Sequence, residues 1–351
     1  MVKTVHFCFL FLLGNLLYSQ NTVKKYSIRT VAFYNLENLF DTINNPKIND
    51  EASPIMQLKG NKSEVYWDKI DKLGFAISQI GKERTGSSPT IIGVCEVENK
   101  EVLRDLVNSK HLRQSKYEIL HYDSSSLRGI DVALLYQPLY FTPIHHEVFD
   151  PNIYRDGKKI YTRDQLLVSG FLDGELLHFI VNHWPSRRGG ENRTRKLREK
   201  AAFQNVKILE QLFRKDSLAK ILVLGDFNDN PTNSSLKKVL KTKGQKEKLT
   251  ATAIFNPYES LYRKGYNSSG YRDNVNLFDQ ILLSAPLIIS PKEKEYKTYK
   301  LFRAKIFNKA YLTTQNGQYK GYPFRSFSYG NYIGGYSDHY PVYVYLIKES
   351  H

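Results

Sequence analysis

The chain has 351 residues, 41% of them hydrophobic and 25% charged, which is enough to bury a large core. Its 51 Lys and Arg residues against 35 Asp and Glu residues give a net charge of +16. A positive field of this size attracts nucleic acid, anionic lipid headgroups or other phosphorylated polymers, with solubility alone as the alternative interpretation. We expect one domain over residues 21–351 rather than two smaller ones.

The first 20 residues, MVKTVHFCFLFLLGNLLYSQ, combine Lys3, a short apolar stretch and then small or polar residues. This pattern predicts a secretory signal peptide over residues 1–20, since a membrane span needs about 20 apolar residues. We therefore expect export to the periplasm, the cell surface or the medium, with no transmembrane span in the mature chain and no obligate protein partner. Because Cys8 lies in this segment, Cys95 has no partner in the mature chain, which excludes an intrachain disulfide.

In the first half of the chain, apolar runs predict strands and one amphipathic segment predicts a helix. The strand-like runs are IRTVAFYNL, TIIGVCEVEN, YEILHY and IDVALLY. The predicted helix places Trp67, Ile70, Leu73, Ile77 and Ile80 on one face. The polar stretch 41–65 is typical of a loop, and residues 100–109 predict a short helix.

The second half continues this alternation of strands and helices. Its strand-like runs are DQLLVSGFL, ELLHFIVNHW, ILVLGDFND, FDQILLS and YPVYVYLI. A long helix is predicted over residues 192–214, with Leu197, Ala201, Ile208 and Leu212 facing inward. Many strands with two long helices predict an α/β fold, a four-layered αββα sandwich in which two mixed sheets pack face to face with helices outside.

Polar residues recur where the apolar runs end. The runs IIGVCEVEN and ILVLGDFND both lead into an acid that is soon followed by Asn or a second acid, and ligands of α/β sheets bind where strands end. The alternative for any one of these residues is a cap that satisfies backbone N–H groups. The whole set is larger than capping requires: Asn35, Glu96, Asp131, His183, Asp226, Asn228, Asp279, Asp338 and His339.

The chemistry of this set predicts a hard divalent cation. Oxygen ligands such as Glu96 and Asp338 suit Mg²⁺, with Mn²⁺ or Ca²⁺ as alternatives, and no Cys and His spacing indicates zinc. Histidines at strand ends suit a general base or a donor to a phosphoryl oxygen, and each needs a carboxylate to orient it. Asp279 and Asp131 are available for that purpose.

Seven stretches, in this order, carry a resemblance to a known family: FYNLENLFD, GVCEVEN, RGIDVALLY, NHWPSRRGG, GDFND, FDQILL and YSDHYPV. Residues 28–347 resemble the endonuclease/exonuclease/phosphatase superfamily, and most closely the secreted and membrane-associated bacterial nucleases of its deoxyribonuclease I branch. The resemblance implies a metal-dependent phosphodiesterase that hydrolyses DNA, with RNA as a further substrate. The alternative is a phosphoesterase of a lipid such as sphingomyelin or of a phosphorylated sugar, and a binding protein with a dead site is disfavoured because every motif position is filled.

The resemblance also implies roles for the metal site and for the base. Glu96 would bind the divalent metal, with Asn35 and Asp338 close to it. His339 would act on the attacking water as general base, and Asp279 would orient it.

For the phosphate, the resemblance implies that Asp226 and Asn228 position the nucleophile and the scissile group. His183 would donate to a phosphate oxygen or to the leaving group. We expect Asp131 to be its carboxylate partner, with Asp123 as the second choice.

Four arginines, Arg128, Arg163, Arg187 and Arg188, are expected to hold flanking phosphates, because a guanidinium fork matches an oxyanion. The alternative for each is a solvated or ion-paired surface residue. The tract 292–325, rich in Lys, Tyr and Phe, suits either a groove wall on which bases stack or an edge hairpin.

Overall fold

The structure, a computed structural model, describes residues 24–271, 274–288 and 296–350, so the predicted signal peptide lies outside the described residues. The helices are α1 (Lys62–Gln79), α2 (Lys82–Thr85), α3 (Lys100–Val107), α4 (Glu191–Lys215) and α5 (Tyr258–Arg263). The strands are β1 (Lys25–Leu39), β2 (Ile91–Val97), β3 (Glu118–His121), β4 (Asp131–Tyr136), β5 (Phe141–Phe149), β6 (Tyr154–Arg155), β7 (Lys158–Lys159), β8 (Gln165–Leu172), β9 (Glu175–His183), β10 (Ile221–Asp226), β11 (Ile254–Phe255), β12 (Ser269–Tyr271), β13 (Asn274–Asn276), β14 (Asp279–Ser284), β15 (Lys300–Ile306), β16 (Phe327–Ser328), β17 (Asn331–Tyr332) and β18 (Val342–Ser350).

Two six-stranded sheets form the centre of the molecule. The first has the strand order β15-β18-β1-β2-β4-β3 and the second has the order β11-β14-β10-β9-β8-β5. Each sheet is mixed, because β1 pairs with β2 and β9 with β10 in parallel, whereas β18 and β14 run antiparallel to their neighbours β1 and β10. Short hairpins, β6-β7, β12-β13 and β16-β17, extend from this frame.

Three apolar layers hold the sheets and helices together. The central layer joins the inner faces of both sheets, with Phe33 from the first sheet and Phe179 from the second. A second layer packs α1 and α3 on the outer face of the first sheet, and a third packs α4 on the outer face of the second sheet. The predicted four-layered αββα sandwich is therefore confirmed.

The structure corrects the prediction in three places. Trp67 is 52% exposed, because Tyr66 takes the inward position of α1 and adjacent helical residues point about 100° apart. Strand β5 was not predicted, since it lies at a sheet edge and carries exposed polar residues in place of an apolar run. Strand β15 lies in the tract 292–325, where an edge hairpin was one expectation, and it forms an edge strand that pairs with β18. The predicted loop 41–65 ends early, at the start of α1.

Among residues 24–271, 274–288 and 296–350, no helix has the length and apolar character that crossing a bilayer requires. Cys95 is fully buried in β2, as its apolar neighbours predict.

Candidate active site

The strand directions bring the polar residues of both sheets to one rim. The parallel strands β1, β2, β9 and β10 end there, and the antiparallel strands β14 and β18 begin there. Register places His183, Asp226 and Asp279 side by side across three strands of the second sheet. The residues that reach the rim are Asn35, Glu96, His183, Asp226, Asn228, Asp279 and His339.

Glu96 is aimed by a bulge in β2. Its backbone φ is 59°, in the left-handed region, and the register with both neighbouring strands shifts there. A bulge re-aims one side chain without ending the strand, and left-handed backbone at a non-glycine residue is a strain found at functional sites. The backbone N–H of Asn38 donates to Glu96 Oε2 at 2.9 Å, which fixes the carboxylate while its side chain remains 17% exposed.

Asp226 lies at the centre of the rim and links the two sheets. The Asn35 side chain, from the first sheet, donates to Asp226 Oδ2 at 3.2 Å, and the Asn228 N–H donates to Oδ1 at 2.9 Å. Only glycine fits at position 225, because a Cβ there would lie 2.4 Å from the carbonyl oxygen of Asn182 on β9. Burial, opposed in part by the charge of His339 and reinforced by that of Asp279, raises the pKa of Asp226 to about 7.

His339 and Asp279 form a tightly hydrogen-bonded pair. His339 Nδ1 lies 2.6 Å from Asp279 Oδ2, and the Ser268 hydroxyl donates to the same oxygen at 2.6 Å. Burial alone would lower the pKa of His339, but the charge of Asp279, with Asp226 adding, holds it well above its ordinary value. The pairing leaves Nε2 directed at the rim, 4.0 Å from Asp226 Oδ2.

No carboxylate of the described residues lies within hydrogen-bond distance of the His183 ring. Its Nε2 lies 3.8 Å from Glu96 Oε1 and 3.7 Å from Asp226 Oδ2, while its Nδ1 is buried without a hydrogen-bond partner. Burial, with the charges of Arg163 and Arg128 adding, lowers its pKa well below the ordinary value. The imidazole is therefore neutral at neutral pH.

The expected partners of His183 are engaged or directed elsewhere. Asp131 accepts from His121 Nε2 at 3.2 Å and from the Ser124 N–H at 2.9 Å. Asp123 lies 3.9 Å from the other ring nitrogen of His121. The prediction that Asp131 or Asp123 pairs with His183 is corrected accordingly, because β4 directs Asp131 toward the neighbouring strand β3.

The Arg187 guanidinium is held by several partners within the protein. Its guanidinium donates to the Asn228 carbonyl oxygen at 2.8 Å, to Glu191 at 2.7 Å and to Asp229 at 3.0 Å. These contacts fix the loop that carries Asn228 to the start of α4. The phosphate contact expected of Arg187 stays a prediction, although these partners already engage most of its N–H groups, whereas Arg188 is exposed.

The two remaining arginines lie closer to the rim. Arg128 is exposed and donates at 2.7 Å to the side chain of Asn38, the β1 residue whose N–H holds Glu96. Arg163 donates to the Trp184 carbonyl oxygen at 2.6 Å, and its Nε is buried without a partner. Both add positive charge around His183.

Asp338 adjoins a buried network that the sequence did not indicate. Its carboxylate accepts from Arg325 at 2.7 Å, and Arg325 also lies 3.7 Å from the buried Glu37. Glu37 accepts from the Ser326 N–H, and the fully buried Lys69 donates to the Ser326 hydroxyl at 2.6 Å. Lys69 and Ser326 are far apart in the chain and neither stands in a motif, so no sequence pattern pairs them. Ser268 was missed for the same reason.

The donors at the rim fit a divalent cation. Glu96 Oε1 and Asp226 Oδ2 lie 3.8 Å and 3.7 Å from His183 Nε2, and the charge of Glu96 helps to raise the pKa of Asp226, so the two carboxylates repel each other. A bound cation offsets that repulsion, and carboxylate and amide oxygens such as those of Glu96 and Asn35 are ligands that Mg²⁺ and Ca²⁺ accept. The close group formed by Asp226, Asp279 and His339 is better explained by the hydrogen bond between the last two.

Comparisons with known proteins identify the family and agree with the fold. The model of the Endonuclease/Exonuclease/phosphatase family matches residues 30–348, whereas no curated protein matches the chain. An endonuclease/exonuclease/phosphatase family protein from Bacteroides thetaiotaomicron has a TM-score of 0.55 at 18% identity, with 93% of this chain and 97% of that chain covered. A mannosyl-6-phosphatase from the same organism has a TM-score of 0.54 at 19% identity, with 91% and 99% covered. D. rerio TDP2 in complex with a single-strand DNA product has a TM-score of 0.54 at 12% identity, also with 91% and 99% covered.

The fold and the rim of acids, amides and histidines define a metal-dependent hydrolase of phosphoester bonds. The chain belongs to the endonuclease/exonuclease/phosphatase family.

Proposed function

We propose that the protein is an exported, divalent-metal-dependent phosphodiesterase that hydrolyses DNA, with RNA as a further substrate. The observation that carries this proposal is the 2.6 Å pairing of His339 with Asp279, which aims a basic imidazole at the rim that also carries Glu96 and His183. The net charge of +16 supports a polyanionic substrate. The DNA product bound in the structure of D. rerio TDP2 supports it as well.

In this proposal His339 supplies the base. Its Nε2 accepts a proton from a water whose oxygen attacks the phosphorus, while Asp279 holds Nδ1 and stabilises the imidazolium that forms. The bond from phosphorus to the leaving oxygen then breaks. Because Asp279 is fully buried and itself held by Ser268, the imidazole is fixed before substrate arrives.

The neighbouring side chains bind and position the phosphate. The neutral His183 donates from Nε2 to a phosphate oxygen or to the leaving oxygen, a role for which its lowered pKa suits it. Asp226 and Asn228 position the water and the phosphate. Asn228 suits this role because its own amide is anchored to the Trp184 carbonyl oxygen at 3.0 Å.

The proposed metal ligands are Glu96 and Asn35, and Mg²⁺ is the proposed ion, with Mn²⁺ or Ca²⁺ as alternatives. When bound, the cation neutralises charge that develops on the phosphate oxygens. Asp338 serves as a ligand only if it exchanges its ion pair with Arg325. Arg128 and Arg188, both exposed, are the proposed contacts to flanking phosphates.

Hydrolysis of a smaller phosphoester is the second candidate. It is favoured by the structural similarity to a mannosyl-6-phosphatase and by a cavity of about 380 Å³ beside His339. Initial rates on plasmid DNA and on mannose 6-phosphate, each with Mg²⁺ and with EDTA, separate the two candidates. We expect metal-dependent cleavage of the DNA alone, whereas turnover of the sugar phosphate with intact DNA would select the second candidate.

Export is proposed from the pattern of residues 1–20. Expression of the full chain in a bacterium, followed by fractionation and intact-mass measurement, tests it. We expect a product outside the cytoplasm that has lost about 20 residues. Full-length protein confined to the cytoplasm would contradict export and would leave the proposed chemistry unaffected.

A further inference from the structure

Aromatic rings enclose a cavity of about 380 Å³ beside the catalytic rim. Its walls include Tyr319, Tyr322, Phe324 and Tyr329, and its polar part is the ion pair between Arg325 and Asp338. We call it the tyrosine cavity. Its volume lies within the range of small-molecule sites.

Two backbone links place the tyrosine cavity beside the active site. Asp338, which lines it, directly precedes His339 in the chain. Gly270, which also lines it, follows Ser269, and Ser269 forms a backbone bridge with His339. A Cβ at position 270 would lie 2.6 Å from the Tyr322 ring, so this glycine lets the ring lie directly on the backbone. A group attached to a phosphate at His339 therefore has the tyrosine cavity next to it.

The position of Tyr329 is unusual for a turn residue. Tyr329 and Gly330 form the two-residue loop between β16 and β17, with φ of 47° and 77°. Such loops favour Asn or Asp before Gly, because a bulky side chain is strained at positive φ. Two other loops of the chain follow this preference, with Asp156–Gly157 between β6 and β7 and Asp173–Gly174 between β8 and β9.

Burial does not explain that strain. Tyr329 is 87% exposed, and its hydroxyl lies 3.1 Å from that of Tyr319, so the ring stands at the cavity without core packing around it. Left-handed backbone at a bulky residue is a strain found at ligand-binding sites, and here it presents the Tyr329 ring at the cavity. Its face is available to a planar partner.

We infer that the tyrosine cavity binds the nucleobase adjacent to the scissile phosphate, with Tyr329 as the stacking residue. This inference rests on the proposed nuclease function. Stacking on tyrosine tolerates every base, because each has a π-face, and Arg325 and Asp338 are already paired with each other at 2.7 Å. The chain would thus sense whether a base is present without reading which base it is.

The test compares two single-stranded DNA oligonucleotides that differ only in their bases, one with an ordinary sequence and one made of abasic units. Tyr329→Asn removes the ring and installs a residue that the turn prefers, so lost folding does not explain an effect. Tyr329→Phe keeps the ring. Tyr26→Asn is the matched control, since Tyr26 is exposed at the opposite end of β1 from Asn35.

We expect the wild type, Tyr329→Phe and Tyr26→Asn to cleave the ordinary oligonucleotide with a kcat/KM about tenfold above that for the abasic one. We expect Tyr329→Asn to cleave both at the abasic rate, with an unchanged or higher Tm. Equal rates of the wild type on both substrates, or a base preference that survives in Tyr329→Asn, would overturn the nucleobase site while leaving the nuclease function intact. Failure of the wild type to cleave either oligonucleotide in Mg²⁺ would overturn the nucleobase site, and intact plasmid under the same conditions would overturn the nuclease function as well.

Discussion

The two histidines of the rim stand at strand ends in the same site, yet their surroundings shift their pKa values in opposite directions. His339 has Asp279 at 2.6 Å, and its pKa lies well above the ordinary value. His183 is buried with Nδ1 unpartnered and two arginines nearby, and its pKa lies well below. The difference shows that a carboxylate hydrogen-bonded to the ring outweighs burial at His339, whereas burial and two nearby arginines dominate at His183.

Removal of the basic histidine is expected to have the largest effect. His339→Ala eliminates proton transfer from the attacking water, and kcat on a DNA substrate should fall roughly 1,000-fold, within the span that general-base catalysis supplies. Single-turnover rates in Mg²⁺ measure the loss. An undiminished rate would show that another group is the base.

Removal of the neutral histidine should have a smaller effect. His183→Ala deletes one donor to the phosphate, and the loss of such a donor costs about 100-fold in kcat. Since the imidazole is neutral, its loss should leave the position of the acid limb of the pH–rate profile unchanged. A shift of that limb in His183→Ala would contradict the assignment of the two roles.

Asp279→Asn should make His339 resemble His183. Only neutral His339 accepts a proton, so activity rises with pH through its pKa. The carboxylate raises that pKa, and its removal should therefore move the acid limb to lower pH, while poorer orientation lowers the maximum kcat roughly 100-fold. The kcat/KM profile against pH measures both changes. A limb that stays in place or moves to higher pH would contradict the account.

Arg163→Met tests how far nearby charge lowers the pKa of His183, and it should have the smallest effect. Burial is the main cause of the lowered pKa of His183, with Arg163 second, so losing the guanidinium should raise that pKa slightly and leave it below the ordinary value. NMR titration of the His183 ring detects the change. A pKa that returns to the ordinary value would show that charge, and not burial, controls this histidine.

Most of the two sheets and the long helices were predictable from the sequence, because apolar runs and helical periodicity indicate buried positions directly. The predicted sandwich is confirmed, and the strand ends at Glu96 and Asp226 lie where the runs IIGVCEVEN and ILVLGDFND end. Edge strands such as β5 cannot be predicted in this way. One face and one edge of such a strand are exposed, so its sequence needs no apolar run.

The pairings of the site were less predictable, because they depend on which strands become neighbours. The motif FDQILL and the motif YSDHYPV give no indication that Asp279 and His339 meet, and here the family resemblance supplied the pair. No motif indicated the carboxylate partner of His183, and the predicted partner, Asp131, is instead paired with His121 of β3. Arg187 resembled a phosphate ligand because it lies near His183, but Asp229 and Glu191 engage it.

The proposed chemistry is tested most directly by incubation of purified protein, residues 21–351, with supercoiled plasmid in Mg²⁺, beside an EDTA control. We expect nicked or linear plasmid in Mg²⁺ and intact plasmid in EDTA, because Glu96 and Asn35 are proposed to hold the cation and His339 to activate the water. Intact plasmid in Mg²⁺, or equal cleavage in EDTA, would contradict a metal-dependent nuclease.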